Sequence, residues 1–256
     1  MMAVGVKSQG AGPRMLELLR CISAGEREFA LKEVSEKTGL APSTVHRLLD
    51  SWVQCDLLER AGPKAYRMGP ELFRVASLVT QKFELNRLAR PVLQQLWQQW
   101  QETATFCLLN PSSRTATVAE SITSPHSLKY ELAQHSVISL AWGSLGRAIL
   151  AQLPAEYLEA AMQRSPHGRL SGKPLPPRRE LELEMGRIRS RGYALYEDAV
   201  LNVAGVSAPV LQANVGVIGS VGVIMPASRF GKSVKSRLPA TVVAAARQLS
   251  GILGFE

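Results

Sequence analysis

The stretch that most constrains this chain is Leu31 to Ser51, LKEVSEKTGLAPSTVHRLLDS, which reads as two short helices joined at Gly39. Apolar positions at Leu31, Val34 and Thr38/Leu40 recur at helical spacing, and Val45, Leu48, Leu49 and Trp52 do so again. Gly39 suits the left-handed residue that ends the first helix, and Pro42 suits the first turn of the second. Between its apolar positions the second helix turns Ser43, Thr44, His46 and Arg47 outward from its N-terminal end. Short hydroxyls and a guanidinium at a helix N-terminus suit a phosphate backbone and a major groove. The pair therefore reads as a helix-turn-helix whose second helix is the reader.

A helix pair with a glycine turn also occurs in proteins that never touch DNA, so the residues that follow matter. Leu57-Leu58-Glu59-Arg60, the turn Ala61-Gly62-Pro63-Lys64 and Ala65-Tyr66-Arg67-Met68 form two short strands about a Gly-Pro turn. That β-hairpin stands where a winged helix carries its wing. Arg60, Lys64 and Arg67 give it a cationic edge, useful against phosphate or a minor groove. Residues 12–24 put Met15, Leu18, Leu19 and Ile22 on one face of a supporting helix. Ala30 falls at the N-cap of the next helix, where Ser or Thr would normally satisfy a free amide, so that cap is expected to be weak by roughly 1 kcal/mol.

The chain has 256 residues, 46% apolar and 20% charged, the composition of a globular protein of two modest domains or one large one. No run approaches ~18 apolar residues, and the N-terminus lacks the apolar core of a secretory signal, so no membrane association is expected and the cytoplasm is the expected compartment. Cys21, Cys55 and Cys107 are isolated, an odd number without CxxC spacing, which indicates neither a disulfide framework nor zinc; no cofactor is implied. The net charge of +9 favours a polyanionic partner, but only weakly. Residues 1–68 carry ten Lys/Arg against eight Asp/Glu, whereas 91–256 carry sixteen against eleven. Much of the latter excess lies between Arg164 and Arg191, which reads as a solvated face.

From Gly69 to about Trp100 the pattern is helical, with one stripe at Leu72, Val75, Ala76 and Val79 and a second at Leu88, Val92, Leu96 and Trp100. Pro91 marks a restart between them. The first helix, 70–87, links the domains, and its stripe could form a dimer seam or pack on its own domain. Beyond it, 104–109 and 115–120 form a hairpin about Asn110-Pro111-Ser112-Ser113. Helices are predicted at 140–150, 155–163 and 179–191, and strands at 193–196, 205–210 and 217–225. The last two strands are central, antiparallel and joined at 212–216, and a final helix spans 240–253. Strands flanked by helices give an α+β domain. The expected division is a disordered tail at 1–11, a winged helix-turn-helix domain at 12–69, the linker helix at 70–87 and a back domain at 88–256.

With those elements in order, the chain resembles the isocitrate-lyase-regulator (IclR) family of bacterial transcription factors. The head matches through TGLAPSTVHRLL and YRMGPELF, and the back half through ARPVLQQL, SLGRAILA, RSRGYAL, SAPV and GVIMPASRF. The resemblance runs from about Arg14 to Leu253. It implies a mixed α/β chain with an N-terminal winged helix-turn-helix, a linker helix and a C-terminal α+β, GAF-like effector-binding domain. It also implies a homodimer or homotetramer acting on a double-stranded DNA operator under control of a small organic effector. Many members place a basic residue just before the Ser-Thr pair; Pro42 stands there in this chain, so the wing is expected to matter more.

The effector site departs further from the family. Members that take small carboxylates tend to carry a Cys before the Ala-Pro-Val strand and serines on the next strand; those positions fall near Gly205, Gly222 and Ile224. The family's His-Ala-Thr becomes Ala141-Trp142-Gly143. A buried carboxylate without hydrogen-bond donors is costly, which argues against glyoxylate-like ligands and for an aromatic or longer organic acid, with Trp142 as a stacking surface. Glu120, Tyr130, His135, Ser144 and Asp198 are the remaining polar candidates. The alternative is a DNA-binding regulator whose pocket is degenerate and holds no ligand. An acyl-transfer enzyme built on His126, His135, Ser136, Ser139 and Ser144 is the rival from another class, but no GxSxG, HExxH or phosphate-binding glycine loop accompanies them. The chain is not expected to be an enzyme.

Overall fold

Leu18 and Ile22, one turn apart on α1 (Ala11–Ser23), are buried against Val34 of α2 (Leu31–Thr38) and against Val45, Leu48, Leu49 and Trp52 of α3 (Pro42–Gln54). The computed structural model describes residues 10–82, 84–168 and 171–253, of 79–82 and 84 the backbone only. The predicted tail therefore lies almost wholly outside the described residues, with Ala11 already opening α1. The chain divides into two compact units, 1–83 and 84–256.

In the first unit Gly39 ends α2 at φ 69°, and its N–H donates to the Ser35 carbonyl at 2.9 Å. Ala30 caps α2 without a side-chain bond. Glu33, three residues on, supplies the other half of a capping box. Its carboxyl is held below the ordinary range, first by Lys37 and also by the Ala30 N–H. The predicted wing is present as β2 (Leu58–Arg60) and β3 (Ala65–Met68), and β1 (Glu28–Ala30), which the sequence did not suggest, pairs with the far side of β3. Phe29 and Tyr66, partners in that register, stack at 6.1 Å. Gly69 leaves the wing so close to the preceding turn that a Cβ there would lie 2.2 Å from the Asp56 carbonyl oxygen. The helix α4 (Pro70–Lys82) follows.

The second unit begins with α5 (Glu84–Trp100). Pro91 lies inside this helix and not at its start. Its ring is on the exposed side, so the bond it forfeits to the preceding turn is offset by the buried face of Ala89, Val92, Leu93 and Leu96. Then come β4 (Thr103–Asn110), β5 (Thr115–Ile122), β6 (Val137–Ile138), α6 (Gly143–Leu150), α7 (Ala155–Arg164), α8 (Arg178–Arg191), β7 (Ala194–Asp198), β8 (Val203–Gln212), β9 (Gly216–Pro226) and α9 (Lys232–Ile252). The strands form one antiparallel sheet in the order β6-β5-β4-β9-β8-β7, so β8 and β9 are internal, as predicted.

Alternation along β8 assigns its two faces. Ala204, Val206, Ala208 and Val210 pack with α5 and α9, while Gly205 and Ser207 point toward α6. The opposite face buries Leu145 and Ile149 of α6 with Leu181, Met185 and Ile188 of α8 over Cys107 and Val118. The last helix starts eight residues before the predicted 240, with Pro239 buried inside it. The polar run Lys232–Arg237 hides its periodicity, and a proline reads more naturally as a helix start than as its interior.

Candidate functional site

Two places carry the candidate residues, one in each unit. On α3, Ser43, His46 and Arg47 are exposed and Thr44 half-buried, opposite the buried Val45, Leu48 and Leu49. No side chain caps the N-terminus of α3; Pro42 has no N–H and the Thr44 and Val45 amides donate to the Ala41 carbonyl, which leaves the Ser43 amide as the one there that an anion could take. Asp50 ties the reader to the wing. Its Oδ2 lies 3.0 Å from His46 Nδ1, and its Oδ1 accepts a 2.7 Å bond from Arg60 Nη2. Arg60 also lies 5.2 Å over the Tyr66 ring, and Arg67 Nη2 is 2.7 Å from Glu59. Arg47 and Lys64 are the candidate cations without an acidic partner among the described residues. Their positive charge is therefore the least compensated on this surface.

In the second unit a cavity of about 730 Å³ opens between the N-terminus of α6, the α6-facing side of β8 and β9, and the turns around 130–139 and 164–168. Gly143 starts α6 at φ 74°, and no side chain caps the helix, so the first amides of α6 face this space unbonded. Two serines of the sheet pin the helix. Ser207 Oγ donates to Ser144 Oγ at 2.9 Å, and Ser220 Oγ donates to the Leu145 carbonyl at 2.9 Å. Trp142 is fixed by its Nε1, which donates to the Ser165 carbonyl at 2.9 Å, and its ring edge lies 3.2 Å from where a Cβ on Gly168 would stand. Tyr130 spans the opening, its hydroxyl donating to the Leu201 carbonyl. Tyr196 also lines the cavity, its phenol pushed up by burial. The Arg147 guanidinium, pushed down by burial, lies 5.9 Å over the Tyr196 ring, and its Nε donates to the Ala141 carbonyl. Most of the wall is apolar, with Leu132, Ile138, Leu145 and Ile224 prominent. Among the described residues no group of three or more His, Cys, Asp or Glu could hold a metal ion.

Comparison with known proteins bears on both places. Residues 77–251 match the C-terminal domain of the bacterial transcriptional regulator IclR, and residues 13–62 match the IclR helix-turn-helix domain. The chain belongs to the IclR family. It is 24% identical over 239 residues to the transcriptional repressor IclR of Escherichia coli, covering 93% of this chain and 87% of that one. A helix-turn-helix regulator of Mycobacterium tuberculosis is 30% identical over 219 residues, 85% of this chain and 82% of its own. An IclR-type regulator from Silicibacter has the same fold, with TM-score 0.83 and 22% identity over 96% of this chain and 97% of that one. So does an IclR homologue from Microbacterium hydrocarbonoxydans complexed with 4-hydroxybenzoate, with TM-score 0.75 and 18% identity over 94% and 97%. The chain is thus a transcriptional regulator with a DNA-binding helix-turn-helix, and the curated relatives are regulators. Among the described residues no helix is long and apolar enough to cross a membrane.

In this IclR-family chain Tyr130, Trp142, Gly143, Ser144, Gly205 and Ile224 line the cavity, whereas Glu120, Asp198 and Gly222 do not. Glu120 is buried and accepts a 2.8 Å bond from Arg90 Nη1. Asp198 is engaged by Lys173 at 3.0 Å and accepts the amides of Val200 and Leu201; Lys173 first, then those amides, hold its carboxyl below the ordinary range. Gly222 faces the α6 side, but Ser207 Oγ occupies the place a side chain would take, 2.1 Å from a Cβ built there. Gly205 likewise makes room for Ser144 Oγ, 2.7 Å from its would-be Cβ. His135 sits in a turn at φ 65°, its N–H donating to the Val118 carbonyl, away from the cavity wall. Arg164, His167 and Tyr196 are walls that the sequence reading passed over. The first two stand at the edge of a charge cluster and a Gly/Pro loop that resemble ordinary solvated surface.

Proposed function

We propose that this regulator is controlled by an organic effector bound in the cavity beneath α6, and that it reads its operator through Ser43, Thr44, His46 and Arg47 on α3 with Arg60, Lys64 and Arg67 on the wing. The observation that carries the effector reading is the cavity itself. At about 730 Å³, largely apolar, with Trp142 held rigid and the amides of α6 left open, it has the size and wall chemistry of a small-molecule site. The fold neighbour complexed with 4-hydroxybenzoate supports an aromatic or related acid. Effector binding would act through the 70–87 segment, and only a ligand with different affinity for the two operator-binding states can do so. The test is thermal melting with a panel of aromatic acids. At a hundredfold excess over Kd, a ligand should add about 2.7 kcal/mol to the unit that holds it. No shift with any member would support the reading of a regulator without a ligand.

Arg47 is the cation on the reader with no acid to release before it meets DNA. Arg47→Ala should weaken operator binding by about 1–3 kcal/mol if the guanidinium reads a base edge. Equal affinity of variant and parent for the operator, measured by anisotropy, would remove that assignment.

A homodimer is part of the same reading, because a two-fold operator needs paired heads. Phe73 is 77% exposed on α4, an apolar ring that a second copy would cover, while Val75 and Leu78, one turn apart, are exposed on the other side of the helix. Phe73→Glu should shift the sedimentation profile toward monomer. An unchanged profile would place the seam elsewhere.

A further inference from the structure

The charged lining of the α6 cavity is one-sided. Among the described residues no Asp, Glu or Lys contributes to its wall, and the permanently charged side chain there is Arg164, which is exposed, with the exposed His167 three residues on. The groups at the far side are buried: Ser144, Leu145 and Ala204 are each under 5% exposed. The interior polar groups there are neutral, and the Ser144 hydroxyl is already engaged by Ser207. An ionised carboxylate pushed to that depth would exchange its hydration for the α6 amides alone and meet no cation among the described residues, which is costlier than placing a neutral oxygen there. At the rim it would keep water and meet a guanidinium. The volume also exceeds what a single-ring acid needs, since cavities of roughly 300–1,000 Å³ suit drug-sized ligands.

We propose that the effector is an elongated apolar monoanion bound with its charge outward. Its carboxylate, or another anionic head, lies at the mouth against Arg164 and His167, and its aryl or alkyl body runs inward past Trp142 to Ile224. Any oxygen at the inner end is a neutral one, taken by the open amides of α6. Arg164 is then the residue that selects acids over their neutral analogues. This rests on the effector reading above and adds to it the class of ligand and its direction.

The test uses the full chain and three probes: 6-phenylhexanoate, its primary amide, and benzoate. Binding is read by quenching of Trp142 fluorescence, with Trp142→Phe identifying that residue's share among the four tryptophans. The long acid is expected to bind roughly fivefold tighter than its amide, the size of a partly solvated charge pair, and tighter than benzoate. Arg164→Gln should remove most of the acid's advantage while leaving the amide within about twofold. Raising salt should weaken the acid and not the amide. Equal affinity of acid and amide, an Arg164→Gln variant that keeps the preference, or benzoate binding as tightly as the long acid would each overturn the outward, elongated ligand. Amide binding alone would still support an effector cavity. Failure of all three probes, the neutral one included, would overturn the cavity as an effector site and this inference with it.

Discussion

Replacing Leu49 by Ala should lower the stability of the N-terminal unit by about 2–5 kcal/mol and remove operator binding at temperatures where the parent still binds. Leu49 is fully buried at the centre of the cluster made by α1, α2, α3 and the wing, so truncation leaves a cavity that no neighbouring element can close without moving. Loss of that size is a large share of the about 5–15 kcal/mol that holds a typical domain. It acts on DNA binding because the same helix carries Arg47 two residues away on its outer side. Thermal melting followed with operator anisotropy checks it. A variant that melts with the parent would mean that α3 is not held by this core.

The second large effect concerns α6. Gly146 approaches the preceding segment so closely that a Cβ would lie 2.0 Å from the Ser139 carbonyl oxygen and 2.9 Å from the Leu140 Cα. Both are backbone atoms and cannot rotate aside. Gly146→Ala should therefore push α6 off the sheet, break the Ser207–Ser144 and Ser220–Leu145 bonds and distort the cavity, at about 1–3 kcal/mol or more. The control is Gly186→Ala on α8, where nothing lies within 4 Å of the new Cβ. There the better helix propensity of alanine should stabilise by up to about 1 kcal/mol. Differential scanning calorimetry of the two variants decides the matter. If Gly146→Ala behaves like Gly186→Ala, the close packing of α6 does not shape the site.

What the sequence made legible was what local chemistry decides. The reader helix, the glycine stop of the helix before it, the wing and the central hairpin of β8 and β9 each carry their own apolar period or turn residues, and they appear where those place them. The short strands β1 and β6 were not legible, because three and two residues have no period of their own and exist only through pairing with β3 and β5. Prolines misled twice. Pro91 and Pro239 lie inside α5 and α9, where buried faces on either side of the proline outweigh one lost backbone bond.

Of the positions carried over from the family, Gly205 lies on β8, and Gly222 and Ile224 lie on β9. Which of them reach the open space was set by three-dimensional crowding that no spacing reveals. Ser207 fills the place beside Gly222, and Lys173 and Arg90 engage the two carboxylates, Asp198 and Glu120, before a ligand could. Arg164 was hidden for the opposite reason. At the end of α7 it looks like any solvated arginine until the fold brings the mouth of the cavity beside it.

The most direct measurement is fluorescence anisotropy of the full chain on DNA from upstream of its own and neighbouring genes, at two salt concentrations, with and without the organic acids that raise its melting temperature. A ligand-controlled regulator should bind one fragment selectively and change its affinity for that fragment when the cavity is filled. Binding that is weak, steeply salt-dependent and equal on all fragments, and unmoved by a ligand shown to occupy the cavity, would contradict control of the DNA-binding unit by the effector.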